Sequence, residues 1–398
     1  MGAAAVVLLL AACGPAESPE QVAGSTCASS TNAAGLTNLF DQIPGGMFAA
    51  DYQRAVPLPD GRTLWLFQDA SITLPPPPPP PEPPPLPLPG TPPPPPVVPA
   101  TRLVHNAALL QTGTCFDLLR SGTDDAPGPW LFPAETAPFS HWFWPLDATV
   151  GQDGRLYVFV AEMVERGPLY LSTTEPIATR VVAVDLATMT PVAAGLAPNA
   201  SASLYGFSIT SDATWTYLYA QCHRQFGWSP SILLLAHDLS CSANVTVARV
   251  PKGQVLQSPS YWDGATWQPD AARAKPVIPS AGRSVNPSQV RWTGSEFVAV
   301  TKVNDWFGTT VFLDRAPAAQ GPWTTYARMR VDPKCDPTVC NTYFASWVPF
   351  NVSGGQWMIG LSNNRWDGRV SEINRPTFLT VPPPGQFALA ARCSRVQC

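Results

Sequence analysis

Apolar and polar positions along this chain fall into short runs rich in β-branched and aromatic residues, each opened by a tight turn. Ala49 to Ile72, reading AADYQRAVPLPDGRTLWLFQDASI, lays out a strand, a turn and a second strand, a β-hairpin. Pro59-Asp60-Gly61 suits a three-residue connection, because Pro presets φ at the first turn position and Gly takes the left-handed one. With Leu58 opposite Arg62, the register sets Val56 against Leu64, Ala55 against Trp65 and Asp51 against Asp69. With Gly61, Gly154, Ala213, Gly294 and Gly355 as turn markers, the same pattern recurs as DGRLYVFVAE (153–162) and, more loosely, as TWTYLYAQ (214–221), GSEFVAVTK (294–302) and GGQWMIGLSN (354–363).

Five such hairpins, each followed by further short strand signals, predict an all-β fold, a five-bladed β-propeller of four-stranded blades. Eight residues past the turn markers stand Asp69, Glu162, Gln221, Lys302 and Asn363, polar groups at the ends of otherwise apolar strands. In a propeller those ends collect on one face around the axis, where a ligand funnel is expected. No long apolar stripe of period 3.6 is present, so helix content is expected to be small. Pro75 to Pro99 holds 18 of the 48 prolines and offers almost nothing to bury. It predicts an exposed polyproline II insertion (75–99) in blade one, leaving beside Asp69 and returning at LVHNAALLQTG (103–113).

Composition narrows the picture. Charged residues make up 13% of the chain and the net charge is −4, which gives no basic patch and argues against nucleic acid as a partner. Residues 1–13, MGAAAVVLLLAAC, form an apolar run too short to span a bilayer and read as an export signal. Leu10-Ala11-Ala12-Cys13 resembles a bacterial lipobox, which makes Cys13 the expected lipidation site. Residues 14–37 are then expected to be a tether and 38–398 the propeller. The remaining eight cysteines read as disulfides of an exported protein, with local closure suggesting 335–340, 393–398, 222–241 and 27–115. The four histidines are scattered and no zinc spacing appears, so no metal site is expected. Asp332 and Asp336 offer oxygens for a structural calcium, against the alternative of an ordinary solvated loop.

Opposed residues of an antiparallel pair have Cβ atoms about 4.5–5.5 Å apart, and like charges there are destabilising. That separation overlaps the roughly 5–5.5 Å between the carboxyls of a retaining glycosidase, so Asp51 and Asp69 are the leading catalytic candidates, with Glu162 as a supporting third. His105 and Asn106 return to the same face. Trp142, Trp144 and Asp147 come from HWFWPLDATV (141–150), and the tryptophans suit either a sugar platform or inter-blade packing. Tyr205, Asn286, Asp305, Asn341 and Tyr343 complete the expected funnel. No phosphate loop, dinucleotide fingerprint, nucleophile elbow or HExxH helix is present.

DYQRAVPLPDGRTLWLFQDASI, LVHNAALLQTG and WPLDATVGQDGRLYVFVAE together resemble secreted bacterial five-bladed propellers known as domains of unknown function. Their hallmark is an Asp-containing first strand followed by LPDGRxLWLFGDT. The resemblance covers roughly residues 38–380 and implies a fold similar to the arabinanase and fructan-hydrolase clans. Some relatives of that family are associated with endo-acting cleavage of D-arabinan. Asp51 matches the first-strand aspartate and Asp69 that of the GDT, with Gln68-Asp69-Ala70 here in place of Gly-Asp-Thr. Arabinanase-type enzymes also carry a catalytic acid on blade three, where LYGFSIT (204–210) has no carboxylate. The expectation is a monomeric, lipid-anchored envelope protein that acts on a carbohydrate polymer and needs no cofactor. Its activity would be that of an endo-acting glycosidase of furanose polymers; the alternative is a non-catalytic carbohydrate- or protein-binding propeller.

Overall fold

The computed structural model describes residues 26–42, 46–76, 100–132, 141–165, 174–198, 203–221, 245–278, 289–302, 309–331, 339–366 and 375–384. The chain forms five small antiparallel sheets arranged in a ring, a five-bladed β-propeller. The blades open with the inner strands Arg54–Pro57, His141–Val150, Ser208–Ser211, Gln289–Trp292 and Val339–Val348. These five touch one another in cyclic order and the last returns to the first. Each is joined to the second strand of its blade through one of the five predicted turns, and Gly61, Gly154, Gly294 and Gly355 take the positive φ those turns require.

The near-continuous apolar reading of the second strands follows from burial on both faces. In Thr63–Thr73, Leu64 and Leu66 face the seam with blade two, while Trp65 and Phe67 face the seam with blade five. Leu156, Val158 and Val160 point back to blade one, and Tyr157, Phe159 and Ala161 point on to blade three. Among the described residues the core divides into five clusters, one per seam. At about 1.5–3 kcal/mol for each fully buried large apolar side chain, these seams supply the main driving force for ring closure.

Inner strands pair on one side only, so each presents a free edge toward its neighbours. Side chains satisfy those edges. Tyr52 donates its hydroxyl to the Leu146 carbonyl (2.6 Å), and Asp147 accepts the Ile209 N–H (2.8 Å). Ser208 Oγ accepts the Val290 N–H (2.9 Å) and Gln289 Oε1 accepts the Trp347 N–H (2.5 Å). Ser346 donates to the Gln53 carbonyl (3.1 Å) and Gln53 Nε2 donates to that of Phe344 (2.7 Å), which closes blade five onto blade one.

Two expectations are corrected. Residues 26–37, expected within a tether, are docked on the ring. Thr26–Cys27 extends the outer edge of blade one and the helix Ala33–Asp41 packs on Thr377–Thr380 of blade five. The helix buries Leu36, Leu39 and Phe40, and Phe40 fills the blade five to blade one seam against Trp65, Phe67, Phe116 and Phe378. An Asn32 side chain capping the Gly35 N–H starts this helix, a signal the local Ser/Thr-rich composition concealed. The blades are also unequal: among the described residues blade one has six strands, blade three five and blade five three, rather than four each.

Cys27 and Cys115 form the suggested disulfide, tying the N-terminal strand to the outer edge of blade one. The other suggested pairings, Cys13 and the calcium candidates Asp332 and Asp336 lie outside the described residues or side chains. Residues 77–99 of the Pro-rich insertion do as well. Its flanks extend the pairing of the second and third strands of blade one, with Thr73 opposite Thr101 and Leu74 N–H bonded to the Ala100 carbonyl (2.8 Å).

The seams are testable one at a time. Ser208→Ala leaves the buried Val290 N–H without its acceptor. It is expected to lower the free energy of unfolding by about 1–3 kcal/mol in denaturant titration, and no measurable loss would show that this edge is satisfied some other way.

Candidate functional site

The predicted register of the first hairpin carries through to the aspartate pair. Met47–Ala50 and Arg54–Pro57 both pair with Thr63–Thr73, and Asp51 to Gln53 form the break between them. Across that break Asp51 N–H donates to the Asp69 carbonyl (3.0 Å), and Gln68 N–H donates to the Asp51 carbonyl (3.3 Å). The carboxylates, however, are not simply left facing each other. Asp51 Oδ1 accepts the backbone N–H of Asp69 (3.1 Å) and Oδ2 accepts the hydroxyl of Tyr343 (2.8 Å). Asp69 Oδ1 lies 2.5 Å from His105 Nδ1 and accepts the indole N–H of Trp144 (2.8 Å). His105, the cross-strand partner of Asp69, stacks on Trp142 with centroids 5.2 Å apart.

Backbone irregularities aim these groups. Tyr52, Asn106 and Phe344 are non-glycine residues at φ 77°, 55° and 47°, and each directly follows a residue whose side chain enters the cluster: Asp51, His105 and Tyr343. The ladder skips between Phe67–Ala107 and Asp69–His105, and its register shifts between Tyr343 and Ser346. A bulge re-aims the side chain beside it, and a left-handed non-glycine residue costs on the order of 1–3 kcal/mol. Three such residues around one cluster are held there by neighbouring bonds. Tyr52 N–H donates to Ser362 Oγ (3.0 Å), and the Asn106 side chain bonds the Phe143 carbonyl (3.1 Å) and the Leu131 N–H (2.8 Å).

The structure thus brings Asp51, Asp69, His105, Trp142, Trp144 and Tyr343 together. It gives other candidates different work. Asn106 is fully buried with its amide bonded to backbone, so it fixes a loop. Trp142 and Trp144 are buried in the seam between blades, not exposed as a platform. Asp147 is buried deeper, its oxygens accepting the N–H groups of Ala148 (2.9 Å) and Ile209 (2.8 Å). Burial pushes its carboxyl up, against the opposing pull of Arg54 and the Ile209 N–H. Tyr205 is buried in blade three, accepting from the Thr246 hydroxyl (3.1 Å) and meeting Tyr261 edge-on. Asn286 and Asp305 lie outside the described residues, as does the side chain of Asn341.

Glu162 has its own partners, His141 Nε2 at 2.8 Å and Arg180 Nε at 2.6 Å, both half-exposed. Burial pushes its carboxyl up, but the hydrogen bonds from Arg180 and His141 outweigh that and leave it below the ordinary glutamate range. It is therefore an ionised group at neutral pH. Neither partner was singled out from sequence. Glu162 lies opposite Phe143 on one side and Ala178 on the other, so His141 and Arg180 sit two residues along each neighbouring strand, within reach of long side chains.

A protein-family model described as Domain of unknown function (DUF5005) matches residues 98–378. No curated protein matches the chain. Among solved structures, a Bacteroides ovatus protein described as a "putative hydrolase" is 15% identical, with a TM-score of 0.60 over 84% of this chain and 86% of that one. The glycoside hydrolase family 43 protein BlXynB of Bacillus licheniformis is 11% identical, with a TM-score of 0.50 over 86% of this chain and 54% of that one. A GH43_1 enzyme of Xanthomonas citri complexed with xylotriose is 13% identical, with a TM-score of 0.48 over 89% and 94%. At these identities the likeness is one of fold.

The Glu162 cluster gives a signed pH dependence. A carboxyl depressed in the folded state adds stability that is present above its unfolded value and lost as pH falls through the folded one. Glu162→Gln should therefore be destabilising at about pH 6, and the gap to wild type should narrow toward about pH 3. A gap that stays constant across that range in urea titrations would refute the ion-paired assignment.

Proposed function

The chain belongs to the DUF5005 family, and on that premise we propose that it is a carbohydrate-acting propeller, a glycosidase of furanose polymers such as arabinan that cleaves within the chain. The observation that carries this reading is the pairing of Asp51 and Asp69 across a broken strand, each carboxylate held by its own set of donors. The glycoside hydrolase family 43 description of a structure of like fold supports the substrate class.

Donors on both oxygens of Asp51 favour its ionised form, which suits a base or nucleophile at the anomeric carbon. Asp69 Oδ1 accepts the indole N–H of Trp144 and shares a proton with His105 Nδ1. That proton is the one available to the leaving oxygen as the glycosidic C–O bond breaks, and water supplies the hydroxyl to the anomeric carbon and a proton in return. A second reading, a non-catalytic binding propeller, is favoured by Glu162, whose ion pairs keep a third carboxylate from serving as an acid.

A screen of arabinan, fructan, xylan and arabinogalactan for released oligosaccharides separates the two. On whichever polymer wild type cleaves, Asp51→Asn and Asp69→Asn are each expected to reduce turnover at least about a hundredfold, in the range of a lost acid or base. Polymer binding without any released product would select the second reading.

The same proposal places the protein at the cell envelope of a bacterium, held by lipid on Cys13. Cys13→Ser should move it from the detergent phase to the aqueous phase after fractionation, because the acyl chains supply the membrane affinity. A variant that stays with the membrane rules the anchor out.

A further inference from the structure

We propose that the axis of the propeller holds a small monovalent anion of halide size between Arg54 of blade one and Arg291 of blade four. Arg54 is 2% exposed, and its Nη2 donates to the Tyr52 hydroxyl (2.8 Å). Its Nε and Nη1 are buried without a hydrogen-bond partner. Arg291 reaches across the ring to donate Nη2 to the Ala55 carbonyl, and its Nε is likewise buried without a partner. Three donors on two guanidiniums are therefore left over inside the ring of inner strands.

Charge points the same way. Arg54, Arg291 and Asp147 feel one another, and that trio is one negative charge short of neutrality. Asp147 does not make up the difference by contact. Its oxygens are occupied by the Ala148 and Ile209 N–H groups, and among the described residues no salt bridge joins it to either arginine. Burial and Arg54 together pull the Arg291 guanidinium down to about 10, despite the opposing pull of Asp147. An arginine stays charged in a protein, so the cost of burying it falls on whatever compensates it. Water can meet the unpaired N–H groups, but only an anion also meets the excess charge. The flanking groups are the rings of Tyr52 and Phe207, with the Arg54 guanidinium 4.9 Å and 5.7 Å from their centroids. That setting suits a compact, weakly hydrated ion.

The site would brace the cluster above it. Tyr52 ties Arg54 to the Leu146 carbonyl and, through its own left-handed backbone, sets the position of Asp51.

The test uses the full-length protein. Thermal unfolding is followed while chloride or bromide replaces gluconate at constant ionic strength. The expected result is a saturable rise of the midpoint with either halide, as binding to the folded state alone requires. Arg291→Met should remove the rise. Asp147→Asn, which takes away the neighbouring negative charge, should lower the half-saturating halide concentration several-fold, and it keeps the test open if the first variant does not fold. Crystals soaked in bromide should show an anomalous peak between the two guanidiniums. A midpoint indifferent to the choice of anion overturns the proposal. A bromide peak without any midpoint shift does so too, since it would mean an adventitious ion only.

Discussion

Five inner strands converge on one axis, and none of them can pair with the next. Each therefore brings an unsatisfied edge into the most buried part of the molecule, where an unpaired N–H or carbonyl costs about 1–3 kcal/mol. The chain meets this with a side chain at every seam: Tyr52, Asp147, Ser208, Gln289, Gln53 and Ser346 each reach the backbone of a neighbouring blade. Apolar clusters between the blades provide the bulk of the cohesion, but these bonds set the angle at which one blade meets the next.

The candidate site is a by-product of the same constraint at the junction of blades one, two and five. Where blade one begins, the strand breaks at Asp51 to Gln53. The break frees Gln53 to bond Phe344, lets Tyr52 reach Leu146, and leaves Asp51 at the surface of the seam facing Tyr343. Ser362 ties the arrangement together, accepting from Tyr52 N–H and donating to Gln53 Oε1 (2.5 Å). Left-handed backbone at Tyr52 and Phe344 is thus over-determined by hydrogen bonds from both sides, which is how such strain persists in a folded protein.

The fold was legible because its signals are local. A tight turn, a period-two pattern and an apolar strand recur five times, with glycine in four of the five turns, and the Pro-Asp-Gly turn sets Asp51 opposite Asp69. What stayed hidden depends on irregularity or on distance. The expected polar funnel treated Asn106 and Trp142 as exposed, yet Asn106 takes a left-handed bulge and Trp142 lies flat on His105 inside the seam. Propeller seams use tryptophan as readily as sugar platforms do, so residue type alone could not choose. The helix Ala33–Asp41 reads as linker because its one buried face finds its partners in blade one and, more than three hundred residues later, in blade five. Arg180 and His141 were recoverable, since laying the second hairpin on Gly154 puts His141 diagonal to Glu162, but the offset depends on a bulge opposite Phe159 and Val160.

The carboxylates end in three distinct electrostatic settings, and this separation is what a site for acid and base chemistry needs. Glu162 is paired with cations and kept ionised, whereas Asp147 is sunk among backbone donors near the axis with its carboxyl pushed up by burial. Asp51 and Asp69 differ from both, touching a tyrosine, a histidine and an indole, groups that give or share a proton. Of the neighbouring arginines, Arg180 is bonded to Glu162 and Arg54 to Tyr52, so each cation is tied to a group of its own blade.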